Sequence, residues 1–314
     1  MKILLQMPGR AIDEWRAALV DALPEAEVSL WPTADPIPRE VPALVDYALV
    51  WRPPPELFER IRPAKAVFNL GAGVDALLAV PTLPREVPVL RLEDAGMAEQ
   101  MAEYVTLAVL AVYRDLRSYD RDQREGRWRP RPRRPKQDFG VGIMGLGVLG
   151  RAIAIALSAF GFPLAGWSRS PKSLPGVACF AGPDRLAPFL ARSRVVVCAL
   201  PATGETRALL DRRTLALLPR GAHVVNVARG DIVVDGDLLA LLDEGHLSGA
   251  TLDVFGDEPL PAGHPFWHHP RIAMTPHVSA VTLVADSIAQ VAAKIRALER
   301  GEKVTGVVDR RRGY

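Results

Sequence analysis

Short, wholly apolar runs recur along the first part of the chain, separated by polar, helix-spaced or turn-rich segments. ILLQM (residues 3–7), AEVSLW (26–31), YALVW (47–51), AVFNL (66–70) and VPVLRL (87–92) read as strands. Between the first two, residues 12–23 carry helical spacing. Strands that are apolar at nearly every position are buried on both faces. With crossovers between them, they predict a parallel sheet covered by helices. The proline-rich stretches at 32–42 and 53–55 give only weak helix signals.

Residues 96–118 then show helical periodicity with no internal proline, a length suited to a helix that crosses between two domains. The polar, basic and proline-rich stretch 121–137 predicts irregular structure. A second set of strands follows at 139–144, 163–167, 194–200, 222–228, 249–254 and 271–275, with helices at 148–160 and 235–245. This alternation is doubly wound α/β. A last helix, from about 281 to 300, is placed to return the chain to the first domain. The expected architecture is therefore one parallel-sheet domain inserted into another. Residues 1–98 and 285–314 form the first, residues 99–284 the second, with a ligand cleft between them.

Composition narrows the class without changing this picture. The 314 residues suffice for two domains, and 49% hydrophobic with 24% charged residues is ordinary for a globular protein. A net charge of +3 demands neither nucleic acid nor a membrane surface. Cys179 and Cys198 have apolar neighbours and no metal or disulfide spacing, which predicts two buried thiols in a reducing compartment. The apolar run near the start ends at Pro8–Gly9, too short for a signal core. Ser158, Gly161 and Pro163 interrupt the most apolar stretch, residues 152–167, well short of a membrane span. A cytoplasmic protein is expected.

Chemistry enters at MGLGVLG. Gly145, Gly147 and Gly150 fit G-x-G-x-x-G between a strand and an apolar helix, the context of a dinucleotide turn. The first glycine makes the turn, the second admits the pyrophosphate, and the third allows close helix–strand packing. The helix start at Val148 and Leu149 would offer free N–H groups to phosphate. After the next strand an NAD site would carry an acid for the ribose hydroxyls. The chain instead has Ser168, Arg169, Ser170 and Lys172. Hydroxyls and cations suit a 2′-phosphate, so NADP(H) is the expected cofactor, with NAD(H) as an accepted second.

Three further stretches, NVARG (226–230), LDVFGDEPL (252–260) and TPHVSA (275–280), sit at predicted strand C-terminal ends, where open α/β sheets bind ligands. They supply Arg229, Glu258 and His277. An arginine fork grips carboxylate or carbonyl oxygen, a histidine delivers a proton, and a carboxylate orients that histidine. The set suits reduction of a 2-oxo acid.

On these motifs, together with YALVW, LGAGVD, GMAEQMAEY, WSRSPKS and the terminal VDRRRGY, the sequence resembles the D-isomer-specific 2-hydroxyacid dehydrogenases over nearly its whole length. The resemblance implies a Rossmann-type cofactor domain inserted into a flavodoxin-like substrate domain. It implies NADPH-dependent reduction of glyoxylate and hydroxypyruvate. Arg229 would bind substrate, His277 would donate the proton, and Glu258 would be its partner. Ala72 and Gly73 would hold the substrate carboxylate through backbone N–H groups, with Trp51 and Arg52 lining the pocket. Leu200, Pro201, Thr206, Val227, Ala228 and Asp253 would border the nucleotide. A homodimer built through the cofactor domains is also implied. Two alternatives stay open: a dehydrogenase for a larger 2-oxo acid, and a nucleotide-sensing regulator on the same fold.

Other features carry blander readings. His264, His268 and His269 lie in a proline-rich loop without ligand spacing, so no metal is expected. His223 and His246 have no motif around them and read as structural or surface residues. The basic stretch 127–136 offers a single aromatic, Trp128, and reads as a solvated or interface loop, with no nucleic-acid partner expected.

Overall fold

The computed structural model describes residues 1–9, 12–32 and 43–314, so most of the proline-rich stretch 32–42 lies outside the described residues. The chain divides into two compact units, Met1–Gly96 with Thr282–Tyr314, and Met97–Val281.

The first unit holds a parallel five-stranded sheet of β1 (Lys2–Gln6), β2 (Glu27–Leu30), β3 (Leu44–Val50), β4 (Arg62–Asn69) and β5 (Val89–Arg91). Its order, β2-β1-β3-β4-β5, reverses between β1 and β3, a doubly wound topology. Helix Ile12–Ala22 buries Trp15 and Leu19, and helix Val284–Glu299 buries Ile288, Val291, Ala292 and Ile295. Those positions recur at spacings of three and four, which puts them on one stripe. The two helices pack against each other. The chain's end then runs antiparallel to β5. Arg91 N–H donates to the Gly306 carbonyl at 3.0 Å, and Val308 N–H to that of Val89 at 2.8 Å.

The second unit holds β6 (Val141–Met144), β7 (Leu164–Ser168), β8 (Val177–Ala181), β9 (Val195–Cys198), β10 (Ala222–Asn226), β11 (Leu247–Leu252) and β12 (Ile272–Met274). All are parallel, in the order β12-β11-β10-β9-β6-β7-β8. Successive strand residues point to opposite faces, and both faces are apolar. Val196, Cys198, Val224 and Leu252 join Leu238 and Leu241 on one side. Val141, Ile143, Val195, Val197 and Val225 join Val105 and Ile153 on the other. That two-sided burial explains why these strands lack alternation in the sequence.

Four features depart from the expectations above. The long helix ends at Tyr113, and a second, Leu116–Arg124, begins after Asp115, whose φ of 54° is left-handed. Residues 121–124 are thus helical where irregular structure was expected. The cause is a buried carboxylate: Asp122, 3% exposed, takes Arg131 at 2.6 Å and Arg127 at 3.3 Å, folding the basic stretch back onto the helix. Strand β8 was not expected, because its residues are mostly part-exposed at the sheet edge. Cys179, on that edge strand, is only half-buried, whereas Cys198 is fully buried and its thiol is pushed up to about 12.

Candidate active site

The glycine turn is built at the end of β6. Gly145 has φ of 98°, and a side chain there would lie 2.6 Å from the Ala199 carbonyl oxygen. A side chain at Gly150 would run into the Gly145 carbonyl, so helix Val148–Ser158 packs directly on its own entry turn. Gly147 is different. The space beside its Cα is open, and as N-cap it offers no side-chain acceptor to the first helical N–H groups. Open space beside uncapped donors and a positive dipole end fits a pyrophosphate.

At the end of β7, Ser168 is buried and turns its hydroxyl onto the Ser170 carbonyl at 2.8 Å. The exposed groups of the expected 2′-phosphate cradle are therefore Arg169, Ser170 and Lys172. Arg169 Nη1 also lies 3.5 Å from Glu205 Oε2, a carboxylate with no motif to mark it in the sequence. Leu200, Val227 and Ala228 are buried along the strand ends, and Pro201 is exposed. Thr206 and Asp253, expected to border the nucleotide, have their polar groups engaged by other protein groups, Thr206 within its own loop and Asp253 by residues 275–279. The Thr206 hydroxyl donates to the Pro201 carbonyl at 2.6 Å and accepts Thr203 N–H at 2.8 Å.

Arg229 follows β10 on a loop fastened by Asn226, which is 1% exposed. The Asn226 amide donates to the Arg229 carbonyl at 2.9 Å and accepts Ala228 N–H at 3.1 Å. Gly230 has no room for a side chain because the backbone of Phe255 and Gly256 lies against it. The loop carrying Arg229 and the loop carrying Glu258 therefore meet main chain to main chain. Glu258 accepts Phe255 N–H at 3.2 Å and faces His277 Nδ1 at 2.8 and 3.0 Å. An ionised carboxylate only accepts, so the proton sits on Nδ1 and leaves Nε2 for another group.

His277 itself is strained, with φ of 55°. Its N–H donates to the Asp253 carbonyl at 2.8 Å. The Asp253 carboxylate, wholly buried, accepts Thr275 Oγ1 at 2.6 Å, Val278 N–H at 2.9 Å and Ser279 N–H at 2.8 Å. Tyr104 closes the network, its hydroxyl 2.6 Å from Thr275 Oγ1.

Trp51, Arg52, Ala72 and Gly73 belong to the first unit. There Arg52 has φ of 46°, and its guanidinium lies 5.8 Å from the Trp51 ring centroid. Gly71 lies under that ring with no space for a side chain. Buried Asn69, which sequence reasoning missed, donates to the carbonyls of Gly71 and Gly73 at 2.9 and 3.0 Å. It fixes the GAGVD loop by its carbonyls, leaving the N–H side of that loop for other partners.

The sequence profile described as D-isomer specific 2-hydroxyacid dehydrogenase, NAD binding domain, matches residues 106–279. The chain belongs to this family. It is 49% identical over 319 residues to a glyoxylate/hydroxypyruvate reductase A of Escherichia fergusonii, covering the whole of both chains. A D-isomer specific 2-hydroxyacid dehydrogenase of Xanthobacter autotrophicus Py2, solved with NADPH and MES, matches with a TM-score of 0.95 at 44% identity. The match covers 100% of this chain and 99% of that one. An NADPH-dependent glyoxylate/hydroxypyruvate reductase of Sinorhizobium meliloti, solved with NADP and sulfate, matches with a TM-score of 0.92 at 37% identity, over 100% and 99%.

In this 2-hydroxyacid dehydrogenase two of the other histidines pair with separate carboxylates. His264 Nε2 lies 3.3 Å from Asp235, and His269 Nε2 lies 3.3 Å from Asp243. Among the described residues, no group of three or more His, Cys, Asp or Glu could hold a metal ion. Nor is any described helix long and apolar enough to cross a membrane.

Proposed function

We propose that the protein reduces glyoxylate and hydroxypyruvate to glycolate and D-glycerate at the expense of NADPH, with His277 as proton donor. The observation that carries the mechanism is the His277–Glu258 pair, 2.8 Å apart on anchored loops, the first with His277 at positive φ, at the strand ends of the sheet that bears the glycine turn. The substrate class is supported by full-length similarity to reductases of that name.

In this reading the turn of Gly145, Gly147, Val148, Leu149 and Gly150 takes the pyrophosphate, and Arg169, Ser170 and Lys172 take the 2′-phosphate. The bound cofactor supplies the hydride. Glu258 holds the imidazole by Nδ1, so that Nε2 releases its proton to the oxygen growing negative at C2. Arg229 offsets that charge before the proton arrives. Ala72 and Gly73 hold the carboxylate, and Trp51 and Arg52 shape the remaining pocket. The protein acts as a homodimer in the cytoplasm.

The test is His277→Ala. Turnover of glyoxylate and hydroxypyruvate with NADPH should fall about 10²- to 10⁴-fold, the usual contribution of a positioned acid, while NADP⁺ binding stays intact. Surviving turnover sinks the catalytic assignment. A wild-type preference for branched or aromatic 2-oxo acids sinks the substrate class.

A further inference from the structure

The strand end where an NAD site carries its acid has none here, because Ser168 is buried and bonded within its own turn. An acid nevertheless reaches the exposed cations from another loop. Glu205, between β9 and β10, places Oε2 3.5 Å from Arg169 Nη1. Its side chain is 73% exposed, yet it adjoins Thr206, which is 8% exposed and ties the Pro201–Thr203 turn together through its hydroxyl. The carboxylate is therefore largely solvated but mounted on a fixed base.

We propose that Glu205 is a counter-anion to the 2′-phosphate cradle. It competes with the phosphate for Arg169 and holds the preference for NADPH below what the cations alone would give. The inference rests on reading Arg169, Ser170 and Lys172 as that cradle.

The physical argument is one of charge. A 2′-phosphate bonded to Arg169 sits at a charge-assisted distance of about 2.7–2.9 Å. The Glu205 carboxylate already lies against the same guanidinium, so two anions then share one cation. The cofactor must displace the carboxylate or bear its repulsion. NADH carries a hydroxyl at that position and leaves the pair undisturbed. Because both side chains are in water, the penalty is modest and falls with salt.

The measurement is calorimetric titration of NADP⁺, NAD⁺ and 2′,5′-ADP, at low and high salt, into the wild-type protein and the E205Q, E205D and R169A variants. E205Q should bind NADP⁺ and 2′,5′-ADP about 3- to 5-fold more tightly, a gain at the upper end for an exposed charge pair, with NAD⁺ within about twofold. The gain should shrink at about 0.5 M salt, where screening is short-ranged. E205D, which keeps the charge, should stay near wild type. R169A tests the cradle itself and should weaken both 2′-phosphorylated ligands about tenfold or more.

If R169A weakens them but E205Q changes nothing or also weakens them, Glu205 has no competing role and the cradle stands. Equal tightening of NAD⁺ by E205Q overturns the inference too, since the carboxylate would then be acting on the whole charge of the nucleotide. If R169A leaves NADP⁺ binding unchanged, the cradle falls and the inference with it.

Discussion

At Asp253, the directions of the hydrogen bonds can be deduced. Its buried carboxylate accepts from Thr275 and from two backbone N–H groups, so Thr275 must donate to it. Thr275 then accepts from Tyr104, whose hydroxyl is kept protonated because burial raises it above the ordinary tyrosine range. The relay Tyr104–Thr275–Asp253 thus ends on the residue that braces the strained His277. A hydrogen bond to a charged group is worth about 1.5–3 kcal/mol, and loss of the middle of the chain should loosen the imidazole. Thr275→Val and Tyr104→Phe are expected to lower kcat for glyoxylate about 5- to 10-fold, with KM for NADPH little changed and Thr275→Ser near wild type. A fall in Tm with kcat intact would reduce the relay to a structural role. The three residues of the proposed triad could be picked out because each sits in a contiguous motif at a strand end. Tyr104 and Glu205 were not, because their partners lie 171 and 36 positions away and only the fold brings them together, while Asn69, two and four residues from its partners, has no motif that marks its amide as the loop's fastening.

At the scale of the element, strand β10 carries a testable cost. His223 sits within a buried strand and is 4% exposed, its Nε2 3.0 Å from the Thr251 hydroxyl on β11. Burial, aided by the charge of Arg117, lowers its pKa to about 3. The unfolded chain has a histidine near ~6.5, so below that pH it binds a proton the folded chain refuses. The stability from neutral His223 is therefore complete above about 6.5 and is lost as pH falls towards about 3, at roughly 1.4 kcal/mol per pH unit. Between pH 7 and 5 the protein should lose about 2 kcal/mol through this residue. His223→Gln should flatten that part of the slope in urea unfolding, whatever it does to absolute stability. An unchanged slope would place the acid sensitivity elsewhere. The strand's own sequence, AHVVNVA, gave no clue, since a histidine at a strand position reads equally as surface or core. The same limit hid β8, whose part-exposed edge residues lack the two-sided apolar run that made its neighbours visible. It also hid helix Leu116–Arg124, which depends on a buried Asp122 and on cations further along the chain.

For the whole molecule, the decisive fact is that three apolar clusters of the described residues each stay within one unit. Two lie wholly within residues 97–281, and a third joins residues 4–89 to Val308. The second unit is continuous in sequence, whereas the first needs both ends of the chain. Residues 282–314 give it Ile288, Val291, Ile295 and Val308, each at most 6% exposed, and the antiparallel pairing beside β5. At about 1.5–3 kcal/mol for each fully buried aliphatic side chain, these four are worth roughly 6–12 kcal/mol. That is the size of a domain's entire stability, about 5–15 kcal/mol. A chain ending at Val281 should therefore lose the fold of residues 1–96 and keep that of 97–281. The new end stays tied, because the Gln100 amide bonds both the N–H and the carbonyl of Val281, at 3.1 and 3.0 Å. Limited proteolysis should then cut residues 1–96 freely while NADP⁺ protects the remainder, and glyoxylate reduction should vanish as Ala72 and Gly73 lose their loop. Protection of residues 1–96 in the truncated chain would mean that the flavodoxin-like sheet closes its core without the final helix. Loss of NADP⁺ binding would mean that the second unit needs the first for its stability.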